Sequence, residues 1–142
     1  QHGTINFTNG GAFLVLSVPV SAFGGFDDDD DGLLSADELA GHMAELQDQV
    51  RHGVRFFGNT GAALPLQGLM LYLSPPDHAP RGPARYVVAL GRFPASDPDA
   101  KLVMQITLQG DVPEEQHFSV TTTSNSTSQI LSFSPGNNRQ AL

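Results

Sequence analysis

The sequence predicts a mainly β protein, a β-sandwich of about eight strands with one inserted acidic loop and a single α-helix. Three observations predict it. Short runs alternate apolar and polar residues, Gly, Pro, Asn and Asp separate those runs, and one stretch between Ser35 and Gly53 changes to helical spacing. With 142 residues the chain is long enough to bury one core without disulfides, so residues 1–142 are expected to form one domain in which 27–53 is an insertion.

The strands are justified in order. Thr4 to Thr8 opens the series and Phe13 to Val20 alternates clearly. After the inserted segment come Val54 to Phe57, then Gly68 to Leu73 with Leu69, Leu71 and Leu73 inward. Arg85 to Phe93 is read as a core strand with Tyr86, Val88 and Leu90 together. In Lys101 to Leu108 the residues Leu102, Met104, Ile106 and Leu108 fall on one face, a period of two. His117 to Thr123 aligns Phe118, Val120 and Thr122, and Gln129 to Ser134 aligns Leu131 and Phe133, with Ser124 to Thr127 as their hairpin loop. Proline marks long, stiff connections at Ser74 to Pro83 and Pro94 to Ala100.

The helix rests on Leu39, Met43, Leu46 and Val50, whose intervals of four, three and four share a face only in a helix. Gly53 is a suitable stop. Gly41 inside the helix should cost up to about 1 kcal/mol relative to Ala.

Composition narrows the function. Apolar residues make up 39% and mean hydropathy is -0.14, too apolar for a disordered acidic chain and too polar for a membrane one. The longest apolar run, Ala12 to Val20, carries Ser17 and Pro19, so no helical span of a bilayer is expected. Without Cys there is no disulfide framework, thiol nucleophile or thiolate zinc site. Fifteen acidic residues oppose seven basic ones, and seven of the fifteen lie between Asp27 and Glu38. The charge of -8 therefore belongs to one local feature, and no basic stripe invites nucleic acid.

That feature is DDDDDGLLSADE, Asp27 to Glu38. Calcium is a hard cation that needs several oxygen ligands, and a twelve-residue loop can supply them from alternate positions as it winds round the ion. Asp27, Asp29 and Asp31 stand at positions 1, 3 and 5, and Gly32 at position 6 permits the sharp turn. Leu33 offers its carbonyl at position 7, Ser35 stands at position 9 directly or through water, and Glu38 at position 12 is the bidentate ligand. Asp28 and Asp30 are expected to face solvent. A run of five Asp fits in any register, so the information lies in Gly32, Leu34, Ser35 and Glu38. The alternative is a solvated acidic loop before a capped helix.

The segment resembles the EF-hand family, and the resemblance implies Ca2+ as the bound ion and Leu34 as the residue anchoring the loop. Two departures bear on its role. Val18 to Phe26 carries Pro19 and the Gly24-Gly25 pair where a complete EF-hand has an entering helix, and no second DxDxDG occurs. A structural role is expected in preference to a sensor's.

Other chemistries find less support. His42 and His52 lie about 80° apart on the helical wheel and form no bidentate pair, and His78 and His117 are isolated. GxSxG, Walker A and GxGxxG are missing and Glu114-Glu115 lies in a turn, so no enzyme is expected. The rival reading is a calcium-dependent, lectin-like ligand-binding module. It would want an aromatic platform, for which Tyr72 and Tyr86 are present and Trp is not.

Over the whole chain, Val18-Pro19-Val20-Ser21, the run Leu71 to Asp77 and Leu90-Gly91-Arg92-Phe93 resemble strings in bacterial exported EF-hand domains, some of which look like companions of HupE/UreJ-type membrane proteins. That resemblance implies a periplasmic or secreted calcium-binding module, with a protein partner expected and a membrane protein the candidate for it. A start at Gln1 instead of Met agrees with removal of a leader.

Overall fold

The computed structural model describes residues 2–8, 11–27, 32–58, 61–74, 83–94, 102–124 and 127–142. Asp28 to Asp31, His78 and most of the two proline-bearing connections lie outside them.

The chain is mainly β. Strands β1 (His2–Thr8), β2 (Gly11–Pro19), β5 (Gln67–Ser74), β6 (Tyr86–Phe93), β8 (Phe118–Ser124) and β9 (Thr127–Phe133) form one sheet in the order β5-β6-β2-β1-β8-β9. A second sheet takes β3 (Val54–Phe57), β4 (Ala63–Leu64), β7 (Val103–Ile106) and β10 (Arg139–Ala141) in the order β10-β7-β3-β4. Neighbours pair antiparallel except β1 and β8, which run parallel from His2↔Ser119 to Asn6↔Thr123.

Alternation decides which side chains are buried. In β2, Leu14, Leu16 and Val18 enter the core while Phe13 and Val15 stay outside. Phe118, Val120 and Thr122 of β8 are buried with Leu131 and Phe133 of β9, as the period of two requires. The two sheets meet in a sandwich-like layer where Phe56 of β3 stacks on Phe93 of β6, centroids 4.1 Å apart.

All eight expected strands are present. The two additional ones, β4 and β10, have two and three residues, too few to show a period. One face is reversed. Tyr86, Val88 and Leu90 do share a side of β6, but it is the outer one, and Val87, Ala89 and Phe93 fill the core.

The expected single helix is two, α1 (Ala36–Gly41) and α2 (Met43–Gly53). His42 between them leaves helical geometry at φ -119° and ψ 17°. The hydrogen-bond ladder nevertheless continues from His42 N–H to the Glu38 carbonyl and from Leu46 N–H to the His42 carbonyl. The break falls beside Gly41. Leu46 and Val50 of α2 are buried, and the Gln47 side chain donates 3.2 Å to the Leu69 carbonyl of β5.

The region before α1 is held at the joint of β2 and β6. Val20 N–H donates to the Arg85 carbonyl at 2.8 Å, and Leu34 and Ala84 form an isolated antiparallel bridge. No helix among the described residues is long and apolar enough to cross a membrane.

Candidate metal centre

The approach to the loop is not helical. After a single 3-10 turn, Val20–Ala22, the chain runs irregularly past the buried Phe23 and Phe26. Gln49 of α2 clamps this approach, since its side-chain amide accepts from Gly24 N–H and donates to the Gly24 carbonyl, both at 2.9 Å.

Asp27 closes the loop. Its Oδ2 accepts from the backbone N–H of Gly32 at 2.8 Å, joining positions 1 and 6. Gly32 has φ +73°, a left-handed conformation that costs a residue with a Cβ about 1–2 kcal/mol. The sharp turn expected at position 6 is therefore present.

Leu34, fully buried, anchors the loop's far side. Its N–H donates to the Ala84 carbonyl at 2.9 Å and its carbonyl accepts from Ala84 N–H at 2.8 Å. The sequence named the apolar anchor but not its partner, because a two-hydrogen-bond bridge to a single Ala leaves no pattern to read.

Ser35 and Glu38 form a reciprocal cap on α1. Ser35 Oγ accepts from Glu38 N–H at 3.1 Å, and Glu38 Oε1 accepts from Ser35 N–H at 3.0 Å. Glu38 is 5% exposed, and a buried carboxylate needs such a donor. The cap brings together the ligands expected at positions 9 and 12, and the Asp27–Gly32 bond closes the other end. Asp29 and Asp31 lie outside the described residues, and Leu33 is half-buried. Among the described residues no three His, Cys, Asp or Glu side chains gather around a metal-sized space.

No family model matches the chain, and no curated protein matches it closely enough to establish a relationship. The chemistry of the residues carries the functional reading.

The helix histidines make local contacts. His42 Nδ1 meets Glu45 Oε2 at 2.8 Å and His52 Nδ1 meets the Asp48 carbonyl at 2.8 Å. A cleft of about 360 Å³ that the sequence did not announce collects His2, Ser17, Tyr86, Glu114 and Glu115. These five come from four separate segments, and only the pairing of β1, β2 and β6 with the turn Pro113–Glu115 gathers them. Glu115 is held there by Ser21, whose hydroxyl lies 3.4 Å from both carboxylate oxygens.

Proposed function

We propose that the chain is an extracytoplasmic calcium-binding protein whose single EF-hand-type loop serves a structural or protein-interaction role. In this reading Asp27, Asp29 and Asp31, the Leu33 carbonyl, Ser35 and Glu38 surround the ion. The observation that carries it is the hydrogen bond from Gly32 N–H to Asp27 Oδ2, with Gly32 at positive φ, which joins positions 1 and 6 of the pattern. The Ser35–Glu38 cap adds support, because it fixes the position 12 carboxylate on the first turn of α1. Five consecutive Asp repel one another, so an ion relieves a strain that the solvated-loop alternative leaves in place.

The residues fit calcium better than zinc or magnesium. Carboxylate, carbonyl and hydroxyl oxygens without imidazole or thiolate suit a hard ion, and a twelve-residue loop encloses more oxygens than an octahedral magnesium accepts.

The test is an isothermal titration series. Glu38→Gln should weaken calcium binding at least about tenfold, about 1.4 kcal/mol, while Asp28→Asn and Asp30→Asn change it little. Equal losses from all three would make the site a diffuse acidic cloud and remove the register.

One observation favours the lectin-like reading as a second. Tyr86 is 36% exposed, lines the cleft with Glu114 and Glu115, and stands two residues from Ala84, the partner of Leu34. An aromatic face beside carboxylates suits a sugar ring. Loss of glycan-array signal both in Tyr86→Ala and on calcium removal would favour this reading over the structural one.

A further inference from the structure

The outer face of the six-stranded sheet divides in two. On β8 and β9 it carries Ser119, Thr121, Thr123, Ser128 and Ser132, as a solvated face does, with Ile130 the exception. Across β5, β6 and β2 it is apolar. Cross-strand pairing sets Met70, Leu90 and Val15 side by side in one row and Tyr72, Val88 and Ser17 in the next. Phe13 and Tyr86 extend this face at its two ends. Seven large apolar side chains are exposed among the described residues, and Phe13, Val15, Met70, Tyr72 and Tyr86 are five of them. Single exposed apolar residues are ordinary, whereas a contiguous patch marks a contact surface.

The patch is grooved, and its ends differ in charge. A cavity of about 400 Å³ at the Arg92 end shares Val15 with one of about 210 Å³, which in turn shares His2 and Ser17 with the cleft of Glu114 and Glu115. The three run in series along β6 from Arg92 to Tyr86, roughly 20 Å of strand. From β5 to β2 the face is two strand spacings, roughly 10 Å, across. That footprint is one α-helix wide and about 13 helical residues long. At one end Arg92 is engaged, donating to the Gln67 side chain at 2.8 Å with its guanidinium carbon 5.9 Å from the centre of the Phe13 ring. At the other end two carboxylates share the cleft with Tyr86, and no Lys or Arg is among the described residues that line it.

We propose that this face receives one amphipathic helix of another polypeptide, with its apolar side on Met70, Leu90, Val15 and Val88 and a Lys or Arg at one end seated in the cleft of Tyr86, Glu114 and Glu115. A helix laid on a sheet is the packing that buries both apolar faces. Charge selects the occupant. The two carboxylates call for a cation, and the Tyr86 ring adds a cation–π contact to it. A second copy would bring net charge -8 against -8, and an anionic membrane would meet the same carboxylates, so both are repelled where a basic helix is drawn in. The face belongs wholly to the sandwich and the turn Pro113–Glu115, so docking does not rest on calcium.

The probe is a synthetic Leu/Ala/Gln helix of about 14 residues, apolar on one side, with its Lys residues gathered in one terminal turn. Fluorescence anisotropy should show it binding equally in calcium and in EDTA, and a version with Glu for Lys should not bind. Met70→Lys, and Glu114→Gln combined with Glu115→Gln, should each weaken binding at least about tenfold at an unchanged melting temperature, while Ile130→Lys on the polar half leaves it as it was. Amide chemical shifts of the wild type give a readout that needs no variant: the changes should fall in β2, β5, β6 and Pro113–Glu115. No binding, shifts elsewhere, or equal losses in Met70→Lys and Ile130→Lys would overturn the proposal. Binding confined to EDTA would do the same by placing the peptide on the acidic loop. Self-association abolished by Met70→Lys would assign the face to a second copy, and co-sedimentation with phosphatidylglycerol vesicles would assign it to a membrane; either overturns the helix.

Discussion

The sandwich and the segment from Asp27 to Gly53 are built from different forces. In the two sheets, buried Val, Leu, Ile, Met and Phe side chains interlock and the backbone closes its own ladders. In the segment, order depends on individual polar contacts: the Asp27–Gly32 bond, the Ser35–Glu38 cap and the Gln49–Gly24 clamp. Leu34, Leu46 and Val50, with Leu39 and Met43 partly buried against the core and Phe26 flanking, tie it to the sandwich. Apolar packing adds up over many neighbours, whereas a loop of like charges held by single hydrogen bonds responds to whatever neutralises it. The sandwich should therefore be indifferent to calcium and the segment sensitive to it.

The largest effect should come from breaking the sandwich. Phe56 is fully buried and stacks on Phe93, so Phe56→Ala removes the central contact between the sheets. The expected loss is about 3–5 kcal/mol. Urea denaturation should find the same loss in calcium and in EDTA. A loss that shrinks when calcium is removed would mean that the two regions fold as one and that the contrast is false.

Calcium itself should act next in size. Binding to the folded state alone adds RT ln(1 + [Ca]/Kd), about 2.7 kcal/mol at a hundredfold excess over Kd. For this length that corresponds to roughly 5–10 °C in melting temperature, with much less from magnesium. Without calcium the sandwich should still melt cooperatively, and hydrogen exchange should quicken only within 27–53. Identical melts in calcium, magnesium and EDTA would remove calcium binding, and an apo chain without a transition would remove the ion-independent core.

The same contrast explains what the sequence could tell. Every strand of four or more residues was legible, because alternation is a repeated signal: Leu102, Met104, Ile106 and Leu108 are all buried as their spacing predicts. For β6 the period was right and the side wrong. Tyr86, Val88 and Leu90 look no less apolar than Val87, Ala89 and Phe93, and only the neighbouring strands β2 and β5 fix which row faces inward. At the loop, the turn at Gly32 and the helix start at Ser35 were legible because each answers a local need, a positive φ or a cap, whereas Glu38 was read as a ligand and its return bond to Ser35 N–H was not foreseen. The Leu34–Ala84 bridge and the cleft around Tyr86 were not, since each depends on residues brought together by tertiary pairing.

The smallest effect sharpens the boundary inside the segment. The break between α1 and α2 has two possible origins: the weak helix propensity of Gly41, or a bend imposed by anchoring α1 through Leu34 while α2 packs on β5. A Cβ built at Gly41 meets nothing within 4 Å, and Gly41 has no positive φ, so Gly41→Ala is sterically free. If propensity is the origin, the substitution should stabilise the chain by up to about 1 kcal/mol, roughly 2–4 °C in melting temperature. The helical circular dichroism signal should rise with it. If the bend is imposed, Ala gains nothing, because a straighter helix would have to give up either the Leu34–Ala84 bridge or the Gln47 contact with β5. Thermal melts in calcium and in EDTA then separate the two: a gain confined to EDTA would show that the ion, by fixing the start of α1, is what holds the bend.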